Sequence, residues 1–245
     1  MIPLRDDNPT RITPVLTWGL IAVNVMVFLY QVSLGPRQGQ LFVYEFGAIP
    51  AVVMGTEALP GYLAAIPPQL SLFTNMFLHG GWLHLIGNMW YLWIFGDNIE
   101  AALGRFRYLV FYLACGVLAS LSHVLSDPSS VIPSIGASGA ISGVLGAYLL
   151  LYPRARVLVL IPLFFFMQLI YIPAAFMLGF WFFLQLISGS MSAGRDAGGV
   201  AVWAHIGGFI AGVLLVGLFK RKGVRFFNPP HYPSDPNVRS MTGFE

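Results

Sequence analysis

Six stretches of this chain are apolar over roughly the thickness of a bilayer, and that punctuation leaves few folds open to it. They are Val15–Leu34, Gly81–Gly96, Tyr108–Leu125, Ser138–Tyr152, Ile170–Ile187 and Val200–Phe219. A hydrocarbon core of about 30 Å needs about 20 helical residues at 1.5 Å each, and irregular backbone facing lipid leaves its polar groups unpaired. The runs therefore predict an all-α, polytopic bundle of six transmembrane helices. Composition agrees, with 57% hydrophobic and 9% charged residues where a soluble domain carries roughly 25% charged. The first run is read as a retained span, because it is long enough to cross and no small-x-small cleavage site precedes Gly35-Pro36.

Between Val157 and Ile187 the apolarity is unbroken and would make a single helix of about 46 Å, too long for one span. Pro162 and Pro173 interrupt it, so Val157–Leu169 reads as an interfacial or packed connection and only the second half as the fifth span.

The net charge of +3 comes from basic residues clustered at the ends of the apolar runs, which signals topology rather than a nucleic-acid face. With the N-terminus inside, eleven of the thirteen lysines and arginines are cytoplasmic, and only Arg37 and Arg195 lie outside. A seventh span would place Lys220–Arg225 outside, against the bias. The expected organisation is a cytoplasmic N-terminal segment over residues 1–14, a six-span domain over 15–219, and a cytoplasmic, disordered C-terminal tail over 220–245 that is Pro-rich from Asn228 to Glu245. The first loop, Gly35–Leu78, is expected in the outer interface. One cysteine, Cys115, inside an apolar run excludes a disulfide framework and a cysteine metal site.

Polar residues inside spans are costly and therefore candidates for function. No Asp or Glu lies in the middle of a run, which argues against an intramembrane aspartyl protease and a carboxylate-dependent transporter. The absence of a His-Glu-x-x-His helix argues against a zinc protease, so no metal or cofactor is expected. The fourth run, of fifteen residues, spans only about 22 Å, so a helix ending at Pro153-Arg154 must begin about 8 Å below the outer surface. Its N-terminus, with free N–H groups and the positive end of the helix dipole, carries Ser138. The second and sixth spans enter near Gly81 and Val200, which puts His84 and His205 roughly 5–8 Å deep, the depth of Ser138. Asn88 follows His84 on the same helix face.

A serine hydroxyl becomes a useful nucleophile when an imidazole takes its proton, and peptide hydrolysis needs donors for the oxyanion. Ser138 is the candidate nucleophile and His205 the base. The Ser138 N–H, His84 and Asn88 are candidate oxyanion donors. No acid is placed to complete a triad, so the pair would act as a dyad. Each piece alone has a plainer reading. Gly-x-Ser-Gly, continued through Ser142, Gly143, Gly146 and Ala147, suits small-residue helix packing, and the histidines and Asn88 suit interhelical hydrogen bonding. Their coincidence at one depth favours a site. His79, at the interface, reads as structural.

His79-x4-His84-x3-Asn88, Gly136-x-Ser138-Gly139 and Ala204-His205-x2-Gly208-x3-Gly212, in this order and in these spans, resemble the signature set of rhomboid intramembrane serine proteases. Glu100-x3-Gly104 is similar to a further family element, and the likeness covers about Thr17 to Phe219. The resemblance implies a six-helix bundle with a water-filled cavity open to the outside, Ser138 as nucleophile, His205 as base, and His84 and Asn88 in the oxyanion hole. It also implies close approach of the fourth and sixth helices at Gly208 and Gly212, and a fifth span acting as gate, with the loop Ser188–Gly199 and its four glycines as a mobile cap. Two positions depart from the family: no tryptophan precedes an arginine in the first loop, and Ser142 stands where many members place an aromatic residue against the catalytic imidazole. The implied function is a serine endopeptidase that cleaves in or near transmembrane segments, in a bacterial inner membrane. Its partners are transmembrane protein substrates and membrane lipid, not nucleic acid. The alternative is a rhomboid-fold pseudoprotease that binds membrane proteins without cutting them, and a transporter is a third reading that lacks the expected repeats.

Overall fold

The computed structural model describes residues 1–10, 12–163, 166–192 and 202–228. In chain order the elements are β1 (Ile2–Asp6), α1 (Val15–Ser33), α2 (Gly35–Phe46), α3 (Pro50–Val53), α4 (Ser71–Thr74), α5 (Trp82–Leu103), α6 (Arg105–Ser126), α7 (Ser138–Leu151), β2 (Arg156–Leu163), β3 (Phe166–Pro173), α8 (Ala174–Ser192) and α9 (Val202–Phe219), with short 3-10 turns between α3 and α5. Six long helices thus fall on the six apolar runs. Of these, α1, α6, α8 and α9 are long and apolar enough to cross a membrane, whereas α7 is a shorter apolar helix. The 22-residue α5 extends past the apolar run at Gly96 into a polar turn. That turn is satisfied by the N-terminal segment: Thr10 donates to Asp97 at 3.1 Å, and Asn8 donates to the Asn98 side-chain oxygen at 2.5 Å.

The centre of the bundle is α7. From Gly139 to Tyr148 every residue is buried, as suits a helix apolar on all sides. It meets α9 backbone to backbone. A β-carbon at Gly208 would lie 2.1 Å from the Gly139 carbonyl oxygen, one at Gly212 would lie 2.0 Å from that of Gly143, and one at Gly146 would lie 2.2 Å from that of Phe209. Glycine is therefore required on both helices for this approach, and the close contact implied at Gly208 and Gly212 is present.

At the opposite end of these helices from Ser138, Glu100 binds the start of α1. Its carboxylate accepts from the backbone N–H groups of Leu16 and Thr17 at 3.1 and 2.8 Å and from the Thr17 hydroxyl at 2.8 Å. The first turn of a helix leaves such donors free, and a negative group is favourable there. Gly104, four residues on, closes α5 at φ +82° with its N–H on the Glu100 carbonyl at 2.8 Å.

One element is absent from the sequence expectation. β1, β2 and β3 form an antiparallel sheet in that order, with Ile2 opposite Leu160, Asp6 opposite Val157, and the β2–β3 pairing running from Arg156–Pro173 to Leu163–Phe166. Val157–Leu169, expected as an interfacial connection, is thus mostly strand, and the fifth helix begins after Pro173 rather than at Ile170. Val157 and Val159 face the core and are fully buried. Pro162 lies beyond the reach of β1, where β2 has a single neighbour and a missing N–H is tolerated. Residues 220–228, grouped with the tail in the sequence reading, are tied to the bundle: Arg221 N–H donates to the Ala102 carbonyl at 3.0 Å, Phe227 N–H to that of Leu150 at 3.0 Å, and Asn228 N–H to that of Leu151 at 2.8 Å. The remainder of the tail, Arg11, Arg195 and Arg239 of the charge count, and residues 193–199 of the expected cap lie outside the described residues. The first part of that cap, Ser188–Ser192, continues α8.

Candidate active site

Ser138 is the first residue of α7 and is preceded by Gly136, whose φ of +127° favours glycine. The Gly136 N–H donates to the Asn75 carbonyl at 2.9 Å. Asn75 in turn donates through its side chain to the Ser71 carbonyl at 2.6 Å and to the Ser120 hydroxyl at 3.0 Å. The loop that presents the serine is therefore anchored on the α1–α5 connection and on α6. A strand-like bridge between Ala48 and Ser134, with hydrogen bonds of 3.0 and 2.8 Å, fastens it a second time.

The Ser138 hydroxyl lies 2.8 Å from Nε2 of His205, which projects from the first turns of α9 and is buried. Across the serine loop stands His84 of α5. A β-carbon at Gly136 would lie 2.8 Å from His84 Nε2 and 3.6 Å from the Ser138 hydroxyl, so only glycine leaves room for that ring. The Gly80 N–H donates to His84 Nδ1 at 3.2 Å. A neutral imidazole bonded in this way carries its proton on Nε2, the nitrogen beside the serine loop. His84 itself is exposed. Asn88 lies one turn further along α5 and is buried, and its side-chain N–H2 has no hydrogen-bond partner among the described residues. Buried donors are nearly always paired, so this one, a turn below His84, is open to a partner that the described residues do not supply. The structure thus brings Ser138, His205 and His84 into one cluster, with Asn88 beneath His84 on the same helix.

His79 is fully buried and takes no position at the serine. Its ring packs edge-on against His84, with centroids 5.2 Å apart, and against Phe28 at 6.3 Å. Ser142 donates back to the Ser138 carbonyl at 2.7 Å. An aromatic ring nevertheless stands beside His205: Trp181 of α8, with centroids 5.9 Å apart and planes inclined by 37°. One turn later Gln185 places its side-chain oxygen 3.0 Å from His205 Nδ1. Neither α8 residue was singled out from the sequence. The available signal was that Gln185 is the one amide in the fifth apolar run, and a polar group in a span is a candidate for function by default.

Residues 68–222 match the Rhomboid domain family. Among curated proteins the chain is 35% identical to the rhomboid protease GluP of Bacillus subtilis over 137 residues, 56% of this chain and 24% of that protein. It is 33% identical to presenilin-associated rhomboid-like protein A, mitochondrial, of Danio rerio over 148 residues, 59% of this chain and 34% of that one. Identity to rhomboid protein 1, mitochondrial, of Saccharomyces cerevisiae is 33% over 100 residues, 39% of this chain and 29% of that one. In each case the matched stretch spans about a third or less of the relative's own length.

Proposed function

The chain belongs to the rhomboid family, and from that premise we propose that it is an intramembrane serine endopeptidase that hydrolyses peptide bonds in or near transmembrane segments of membrane proteins. The observation that carries this reading is the 2.8 Å contact between the Ser138 hydroxyl and His205 Nε2. Ser138 attacks the scissile carbonyl as its proton passes to His205 Nε2. The resulting oxyanion accepts from the Ser138 N–H at the start of α7, from His84 Nε2–H and from the Asn88 amide. His205 then returns its proton to the leaving amine, and water admitted at the exposed His84 side hydrolyses the acyl-enzyme by the same exchange. It is a multi-pass integral membrane protein, and its basic-residue distribution supports a reading with both termini cytoplasmic, in a bacterial inner membrane on the proposed assignment.

The test is cleavage of a model transmembrane substrate, and labelling by a fluorophosphonate, for detergent-purified wild type, Ser138→Ala and Asn88→Ala. Ser138→Ala is expected to abolish both with thermal stability nearly unchanged. Asn88→Ala, which keeps nucleophile and base, is expected to lower turnover by at most about 10²–10³-fold. Wild-type protein that binds substrate but is neither labelled nor active would identify a non-cleaving member of the family instead.

A further inference from the structure

We propose that Gln185 of α8 is a positioning residue for His205, holding the imidazole in the tautomer that can accept the serine proton. The proposal deepens the function above and rests on the reading of Ser138 and His205 as nucleophile and base. A neutral imidazole has one N–H. For Nε2 to take a proton from Ser138 it must present a lone pair, so the ring proton must sit on Nδ1, and a buried Nδ1–H needs an acceptor. α7, α8 and α9 contain no Asp or Glu, and the Gln185 side-chain oxygen, 3.0 Å from Nδ1, fills that role. With that bond made, the 2.8 Å contact on the other nitrogen is left to receive the serine proton.

A neutral amide suits this depth. A carboxylate would have to be kept ionised in a medium where charge is costly even when the site is idle. The amide oxygen brings only a dipole, and its bond strengthens when the imidazolium forms. Trp181 acts on the other coordinate. It lies one turn before Gln185, hence on the same face of α8, and its ring is 5.9 Å from that of His205, within the roughly 6 Å at which an aromatic face attracts a cation. Gln185 thus sets the ring's rotation and Trp181 its plane. The nucleophile comes from α7 and the base from α9, but the groups that orient the base come from α8.

The experiment compares full-length wild type, Gln185→Met, Gln185→Glu and Ser138→Ala in detergent. It follows the rate of fluorophosphonate labelling, kcat and KM for a model transmembrane substrate, and 15N spectra of labelled histidines assigned against His205→Ala. Gln185→Met keeps the size of the side chain and loses the acceptor. It is expected to slow labelling and kcat by about 10-fold or more, a share of the roughly 10²–10⁴-fold a positioned base supplies, with KM unchanged and His205 no longer confined to the Nδ1–H tautomer. Gln185→Glu restores an acceptor and should recover most of the labelling rate. A glutamine that only filled space would leave the methionine variant at the wild-type rate, and that result overturns the proposal. So does a wild-type His205 with its proton on Nε2, which decides the matter even if the methionine variant does not fold. Wild type that is not labelled, or labelling that persists in Ser138→Ala, overturns the function itself and this role with it, and is told apart by the Ser138→Ala control.

Discussion

Asp6, at the end of β1, accepts hydrogen bonds from the Tyr148 hydroxyl at 2.5 Å and the Asn98 amide at 3.0 Å. Burial outweighs these donors and pushes its carboxyl up to about 7, with Asp97 and Asp7 adding to the effect. A raised carboxyl means that the folded chain holds a proton that the unfolded chain has released, so this group's contribution to stability falls as pH rises from about 4 to about 7 and is level outside that window. The span of the shift corresponds to a few kcal/mol, on the order of 1.4 per pH unit. Asp6→Asn, which keeps an acceptor for Tyr148 without a charge, is expected to flatten the fall in melting temperature between pH 4 and 7. Parallel curves for variant and wild type would refute the assignment. At this scale the sequence was informative about residues that can be placed by depth. Ser138, His84 and His205 could be placed because each is a counted number of residues from a helix end, and the structure puts them together. Gln185 escaped because its role depends on the rotation of α8 about its axis, which the uniform apolarity of that run leaves undefined. The tie between Asp6 and Tyr148 joins residues 142 apart, and no local pattern records it.

Among the elements, the contact of α7 with α9 is the rigid one. Gly139, Gly143 and Gly146 face Gly208, Gly212 and the Phe209 carbonyl at distances that admit no β-carbon. A valine at 208 must push α9 away from the Gly139 carbonyl, and the imidazole three residues earlier moves with it, beyond the approximately 2.6–3.2 Å that proton transfer requires. Gly208→Val is therefore expected to lose nearly all cleavage and fluorophosphonate labelling together with thermal stability, and full activity would show that the helices can separate without cost. This packing was legible as a stripe of small residues at helical spacing. The sheet was not. Val157–Leu163 is a short apolar run whose period distinguishes poorly between helix and strand, and the strand that pairs with it, Ile2–Asp6, is a five-residue segment containing a proline, whose partner lies more than half the chain away.

On the scale of the whole molecule, the ends of α5, α7 and α9 away from Ser138 are bound to one another by chain from both termini. β1 lies along β2, and residues 221–228 donate to the carbonyls of Ala102, Leu150 and Leu151. Residues 2–6 and 221–228 accordingly sit at one end of the bundle, the end proposed to face the cytoplasm. A reporter fused after Lys222 is expected to read as cytoplasmic, and activity of the same fusion on the opposite side would refute the orientation. The seating of the N-terminal segment also sets an order of assembly. Thr17 cannot find its acceptor until Glu100 has been synthesised, and Ile2 cannot pair until Leu160 has followed. Residues 2–17 thus wait for partners that are synthesised far later, and the growing chain carries α1 with the N–H groups of Leu16 and Thr17 apart from their carboxylate until α5 has joined it.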